Sequence, residues 1–326
     1  MGNLLDKPNT DYLEAEEGEG NGIKYGVSSM QGWRTEMEDA HTITPEIPGL
    51  TDHALYAVFD GHGGQYAARY ASEHLVDELK IAPSYIAYVD GGNADPALLG
   101  QALQEAFLNL DSNLRDETRA MQNERSGCTA IATVISPSHI VVANAGDSRS
   151  AMQVGSETVA LSEDHKPYNA EEKNRIEAAG GCVSMKRVDG ELAVSRALGD
   201  FQFKDANLDA KDTKVTAFPD ITIVQRSEAD EFVILACDGI WDVMTNEQAT
   251  KQMTSYCEQG EASPRLMCEE MMCDCLERSS RDNMSVVTLI FPAGEALTKA
   301  GEGVMGLRKV REEAEKAKAE AAKNDS

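Results

Sequence analysis

Acidic residues stand at or beside the ends of apolar runs at several places in this chain. Tyr56-Ala57-Val58-Phe59 runs into Asp60-Gly61-His62-Gly63-Gly64, and Phe232-Val233-Ile234-Leu235-Ala236 runs into Cys237-Asp238-Gly239. Arg281-Asp282-Asn283 directly precedes Met284-Ser285-Val286-Val287-Thr288-Leu289-Ile290, and Glu36-Met37-Glu38-Asp39 is a further acidic segment. Buried strands that deliver carboxylates to one point repel each other unless cations lie between them. Hard divalent cations take all-oxygen ligand sets of this kind. The pattern predicts a magnesium or manganese hydrolase site built from residues far apart in sequence.

The elements that must position these groups are short and β-rich. Strands are predicted at 23–30, 54–60, 128–136, 139–145, 148–154, 221–226, 231–237 and 284–291, from β-branched runs bounded by turn residues. Asn144-Ala145-Gly146-Asp147 reads as a hairpin turn between two of them. Helices are predicted at 64–80, 96–121, 169–179, 246–259 and 263–279; in the second, Leu99, Leu103, Ala106, Phe107 and Leu110 recur at helical spacing. Adjacent strands with paired helices favour sheets covered by helices over a regular strand–helix alternation. Residues 1–22 read as a loose leader, because 9–22 are polar and rich in Gly and Glu. Residues 293–326 read as a charged tail, with an exposed, solvated helix from Arg311 to Lys323.

Composition narrows the function further. The chain has 326 residues and is 41% hydrophobic, enough for a large core. Thirty basic against 56 acidic residues give a formal net charge of −26, which argues against nucleic acid as a partner. Seven cysteines without paired spacing fit a reducing compartment, so a cytoplasmic or nuclear location is expected. No apolar run approaches the ~20 residues of a membrane span. Asp6, Lys7 and Pro8 interrupt any signal-peptide core. Met1-Gly2 has the start of an N-myristoylation signal, but Asp6 stands where Ser or Thr is preferred. Membrane association is expected only if Gly2 is acylated, and the chain is expected to be a monomer.

A resemblance follows from these segments taken in order. Tyr25–Arg34, Met37-Glu38-Asp39-Ala40-His41, Phe59–Gly64, Ser126–Ala130, Asn144–Arg149, Ala193–Asp200, Ala236–Asp242 and Arg281–Ser285 closely resemble the metal-dependent type 2C protein serine/threonine phosphatases. The match runs from about residue 23 to about residue 292, and Leu5-Asp6-Lys7-Pro8 is similar to the animal-type members. Each motif alone is weak; their shared order and spacing make the signal specific. The resemblance implies an α+β fold, a central β-sandwich of two antiparallel sheets flanked by pairs of antiparallel helices. It also implies hydrolysis of phosphoserine and phosphothreonine in phosphorylated proteins, with two core Mg2+ or Mn2+ ions and a weaker third.

Roles for individual residues come from chemistry and from that resemblance together. Asp60 has two oxygens and is suited to bridge two metals; Gly61 allows close backbone approach and offers its carbonyl. By resemblance Glu38 completes one metal, and Asp238 and Asp282 complete the other. Two metals about 3.5–4 Å apart would hold and acidify a water whose hydroxide attacks phosphorus directly. Arg34 can grip phosphate oxygens through its planar fork. His62 is the candidate general acid for the departing oxygen. Asp147 and Asp242 would hold the third metal with Asp238, while Asp39 would support its neighbours. His41 and His165 read as structural. A flap is expected at about 165–192, where Lys186 and Arg187 either meet a phosphoprotein or form an ordinary exposed pair.

Rival readings leave marks that this chain lacks. Cys275 and Arg281 have the spacing of a cysteine-nucleophile phosphatase, but Leu276, Glu277 and Arg278 continue a helical pattern where a phosphate cradle is needed. Asp205, Asn207 and Asp209 begin like a calcium loop, but Ala210 and Thr216 replace its essential Gly and Glu. A non-catalytic phosphoprotein-binding or scaffold relative is the alternative of a different class, and it should have lost carboxylates that are all present here.

Overall fold

The computed structural model describes residues 4–121 and 124–324. In chain order the strands are β1 (Leu4–Gly20), β2 (Ile23–Arg34), β3 (Ala40–Thr44), β4 (Ala54–Phe59), β5 (Gly61–His62), β6 (Gly127–Cys128), β7 (Ala130–Ile135), β8 (His139–Ala145), β9 (Arg149–Val154), β10 (Glu157–Ala160), β11 (Val183–Ser184), β12 (Arg187–Val188), β13 (Leu198–Gly199), β14 (Asp220–Gln225), β15 (Asp230–Ala236) and β16 (Met284–Ile290). The helices are α1 (Tyr66–Ile81), α2 (Pro83–Asp90), α3 (Pro96–Thr118), α4 (Ala170–Ala178), α5 (Asp238–Trp241), α6 (Asn246–Glu258), α7 (Pro264–Glu277), α8 (Pro292–Glu295) and α9 (Gly303–Asn324).

Two antiparallel sheets face each other. One has six strands in the order β1-β2-β16-β15-β9-β10, and the other five in the order β14-β8-β7-β4-β3. Every residue of β4 is buried, and its side chains alternate between two cores. Tyr56 and Val58 pack between the sheets with Val27, Ile131, Val233 and Val287. Leu55, Ala57 and Phe59 point the other way, onto Ala67, Leu75, Leu103 and Phe107 of α1 and α3. On the far side Phe232 and Ile234 of β15 join Met253, Met267 and Met271 of α6 and α7. Strands buried on both faces read as unbroken apolar runs, which explains why these strands were legible as sequence.

Three expectations need correction. The loose leader is a strand: residues 4–20 pair antiparallel with β2, from Leu4 opposite Arg34 to Gly20 opposite Ile23. That pairing is main chain to main chain, so a polar Gly/Glu sequence serves it; Leu5, Tyr12 and Leu13 are half-buried. The Asn144–Asp147 turn is not a hairpin, because β8 lies in the five-stranded sheet and β9 in the six-stranded one. It crosses between the sheets at one end of the sandwich. The C-terminal helix starts at Gly303 rather than Arg311, and its beginning is docked: Val304 is fully buried, and Arg308 and Arg311 pair with carboxylates of α7. Gly2 lies outside the described residues.

The region of the expected flap has a small core of its own. Ile176 of α4 packs with Val188, Val194, Ala197, Phe203 and Val215. Its Lys186 ammonium lies 5.2 Å from the centre of the Tyr168 ring, and the Arg187 guanidinium donates to the Glu191 carbonyl at 2.6 Å.

Candidate metal centre

One end of the sandwich collects the acidic residues because several strands stop or start there. β4 ends at Phe59 and is followed by Asp60; β15 ends at Ala236, with Asp238 opening α5 two residues later. Asp282 precedes β16, and Ala236 pairs with both Val286 and Arg149, bringing the neighbouring strand ends level. Ala40 pairs with Phe59, which sets Asp39 beside Asp60. Oxygens of Asp39 and Asp60 and the Cys237 sulfur all lie within 4.8 Å of one another.

The electrostatics follow from that convergence. Burial, then the charges of Asp238, Asp39, Asp147 and Asp282, push the Asp60 carboxyl well above its ordinary value. Burial, then Asp147, Asp282 and Asp242, do the same to Asp238, against a smaller opposing pull from Lys166. Burial raises Asp39 to about 7, although hydrogen bonds from Ser285 and Cys237 oppose it. Such carboxylates are held charged by cations, and Arg34 and Lys166 are too few to balance Asp39, Asp60, Asp147, Asp238 and Asp282. An all-oxygen set of this density fits hard divalent ions.

Individual positions bear out the convergence. Glu38 lies against Gly61: a Cβ on that glycine would sit 2.1 Å from the Glu38 carbonyl oxygen. The Glu38 side chain accepts from the Gly64 amide at 2.7 Å. Its backbone amide donates to Asn283 Oδ1 at 3.0 Å, and Asn283 Nδ2 donates to the carbonyls of Gln31 and Glu36. Asn283 thereby ties the segment carrying Glu38 to the segment carrying Asp282. Arg34 donates to Asp282 Oδ2 at 2.5 Å, while Asp282 Oδ1 accepts from the Asn283 amide at 2.8 Å. Asp39 accepts from the Ser285 hydroxyl at 2.7 Å.

The outer positions are arranged differently. Asp147 is buried and accepts from Lys166 Nζ at 2.5 Å. His165 is structural: it accepts from the Gly146 amide at 3.2 Å and reaches Asp220 at 3.0 Å, steadying the turn that carries Asp147. Asp242 caps α5 on the exposed rim, with its amide bonded to the Asp238 carbonyl at 2.8 Å. His62 Nε2 lies 2.7 Å from Asp200 Oδ2. Burial opposes a charge on His62, but Asp200, with Asp147 and Glu38, outweighs it and holds the imidazole above its ordinary value. Asn283 and Asp200 lie inside motif segments that carry no role for them in the sequence, and Lys166 lies in none. Each acts on a residue remote along the chain, as with His62 and Asp200, which are 138 positions apart, so no local spacing announces it.

The cysteine rival does not survive the geometry. Cys275 lies inside α7, fully buried, with its sulfur 3.5 Å from Met244 Sδ, and burial pushes its thiol up to about 12. The Asp205 segment is a local turn in which Asp205 Oδ1 accepts from the Asn207 amide at 2.9 Å.

Residues 23–284 match the family model described as Protein phosphatase 2C. The chain is 42% identical over 315 residues to Protein phosphatase 1B of Bos taurus, covering 93% of this chain and 64% of that one. It is 42% identical over 299 residues to Protein phosphatase 1B of Homo sapiens, covering 89% and 62%. It thus spans less than two thirds of these relatives' length. Among solved structures, serine-threonine phosphatase 2C from Toxoplasma gondii superposes with a TM-score of 0.73 at 26% identity, covering 88% of this chain and 98% of that one.

Proposed function

Because this chain belongs to the protein phosphatase 2C family, we propose that it hydrolyses phosphoserine and phosphothreonine esters of proteins with the help of divalent cations. The observation that carries this reading is the meeting of Asp60, Asp238 and Asp282 with Arg34 at one end of the sandwich. Asp60, Glu38, the Gly61 carbonyl, Asp238 and Asp282 would together hold two Mg2+ or Mn2+ ions. Asp147 and Asp242 would serve a weaker third ion with Asp238. Such ions neutralise the phosphoryl charge and lower the pKa of water toward neutrality.

The chain's own groups do the rest. Arg34, already turned into the acidic cluster, is placed to grip a phosphoryl oxygen. His62 supplies the proton that the departing serine or threonine oxygen needs. A scaffold relative without catalysis has no need for this whole carboxylate set. On the same reading phosphorylated proteins are its substrates, it acts as a monomer, and its place is the cytoplasm or nucleus. The test is release of phosphate from a phosphothreonine peptide with manganese, with and without chelator. Chelator should abolish turnover; full activity in its presence overturns the reading.

A further inference from the structure

The short sheet beside the metal centre has the order β13-β6-β5, so Gly127 pairs with His62 on one side and with Gly199 on the other. Asp200 follows Gly199 and turns back toward the ring of His62. It is 3% exposed and adopts a left-handed backbone, with φ 52° and ψ 38°. Asp and Asn tolerate that conformation where most side chains do not. Its amide donates to the Ser126 carbonyl at 3.3 Å. The preceding Gly199 amide donates to Asp111 at 2.8 Å, and Asp111 is held in turn by the buried Lys204 at 2.6 Å. Gly127 leaves room for the pair: a Cβ there would lie 2.1 Å from Asp200 Oδ2 and 2.7 Å from His62 Nε2. This small cage of backbone and side chain holds one carboxylate oxygen against one ring nitrogen.

We propose that Asp200 is the positioning residue for the proton donor, a role that rests on His62 being that donor. A carboxylate accepts and does not donate, so it fixes the hydrogen on Nε2 and sets the ring plane. Nδ1 of the doubly protonated ring is then the nitrogen that gives its proton to the substrate, which leaves a neutral ring with its hydrogen on Nε2. Water oxygen forms the new bond to phosphorus and releases a proton to solvent. The ester P–O bond breaks, and its electron pair stays on the serine or threonine oxygen. The Nδ1 proton completes the hydroxyl, and the ring regains a proton from solvent.

The informative variant is Asp200→Asn, which keeps the volume and tolerates the left-handed backbone. Its amide can offer either oxygen or N–H to Nε2, so the ring is no longer held to one tautomer. On a phosphothreonine peptide kcat should fall about 100-fold, the size of a general-acid contribution. KM should stay within about twofold, and p-nitrophenyl phosphate, whose leaving group needs no proton, should lose less than about threefold. Nitrogen NMR of the neutral His62 ring in Mg2+-loaded protein should show Nε2–H in the wild type and a mixture of tautomers in the variant. Equal loss on both substrates, no loss, or an unchanged ring signal would each overturn the proposal. His62→Gln separates the two claims. If it shows the same leaving-group dependence and Asp200→Asn does not, Asp200 alone loses its role. If His62→Gln slows both substrates equally, His62 is not the donor, and the role of Asp200 falls with it.

Discussion

Asp60 and Arg34 meet the same acidic cluster from opposite sides of the charge balance. Asp60 has burial and four neighbouring carboxylates against its ionisation, so its stable ionised form requires bound cations. Asp60→Asn should therefore weaken metal binding and turnover together. The loss should exceed the 10–100-fold typical of removing a group that only supports a ligand. Titration calorimetry and phosphopeptide kinetics check this; normal values in both would leave Asp60 as a turn residue. Arg34 is held by Asp282 at 2.5 Å and by the fields of Asp238 and Asp60. Arg34→Ala should raise KM about tenfold and lower kcat less, as expected when binding common to ground and transition states is lost. A fall in kcat at unchanged KM would contradict a phosphate-gripping role.

At the scale of elements, α4 is fastened to the sandwich by charge. Glu172, buried on α4, accepts from Arg196 at 2.8 Å and from Ser195 at 2.6 Å, and pairs with Arg175 at 2.8 Å. Arg196 continues to Asp220 at 2.6 Å. Burial would raise the Glu172 carboxyl, but the two arginines prevail and hold it down at about 2. A depressed folded-state value stabilises the fold above the unfolded value, about 4.3. That stabilisation is lost as pH falls through the window down to about 2. Its size is on the order of 3 kcal/mol. Glu172→Gln should lower stability in denaturant unfolding at pH 7, and the gap to wild type should shrink toward pH 3. A gap independent of pH would show that packing, not charge, anchors α4.

Across the whole molecule, both ends of the described chain converge on α7. Glu269 and Glu270 are 2% and 1% exposed; Arg265 of α7 itself pairs with Glu269, and arginines from elsewhere neutralise the rest. Arg308 reaches Glu269 at 2.8 Å, Glu270 at 3.3 Å and the Tyr12 hydroxyl of β1 at 3.3 Å. Arg311 pairs with Glu270 and with Glu277 at 3.0 Å. Breaking a buried pair by removing one partner costs about 3–5 kcal/mol, because a buried charge is left uncompensated. Deleting residues 303–326 should therefore lower the melting temperature clearly while leaving the metal centre intact. Glu270→Gln in the shortened chain should restore part of the loss. An unchanged melting temperature on deletion would make α9 the solvated appendage that its charge pattern first suggests.

Sequence alone determined the strands that carry the site and the carboxylates at their ends. β4, β15 and β16 are buried on both faces, so each is dominated by apolar residues, interrupted in β16 only by Ser285 and Thr288, and an acidic residue beside its end stands out. Order and spacing then identified the family. Tertiary structure decided what depends on approach between distant segments. β1 became a strand because β2 offers an unpaired edge, and main-chain pairing asks little of side chains. The turn at Asn144–Asp147 crosses between sheets because β8 and β9 find different partners, a choice that two adjacent β-patterned runs do not encode. The pairings of His62 with Asp200, Asp147 with Lys166 and Arg308 with Glu269 arise because burial makes each charge seek an opposite one. Which opposite charge it meets is set by the packing of the sheets and helices, not by distance along the chain.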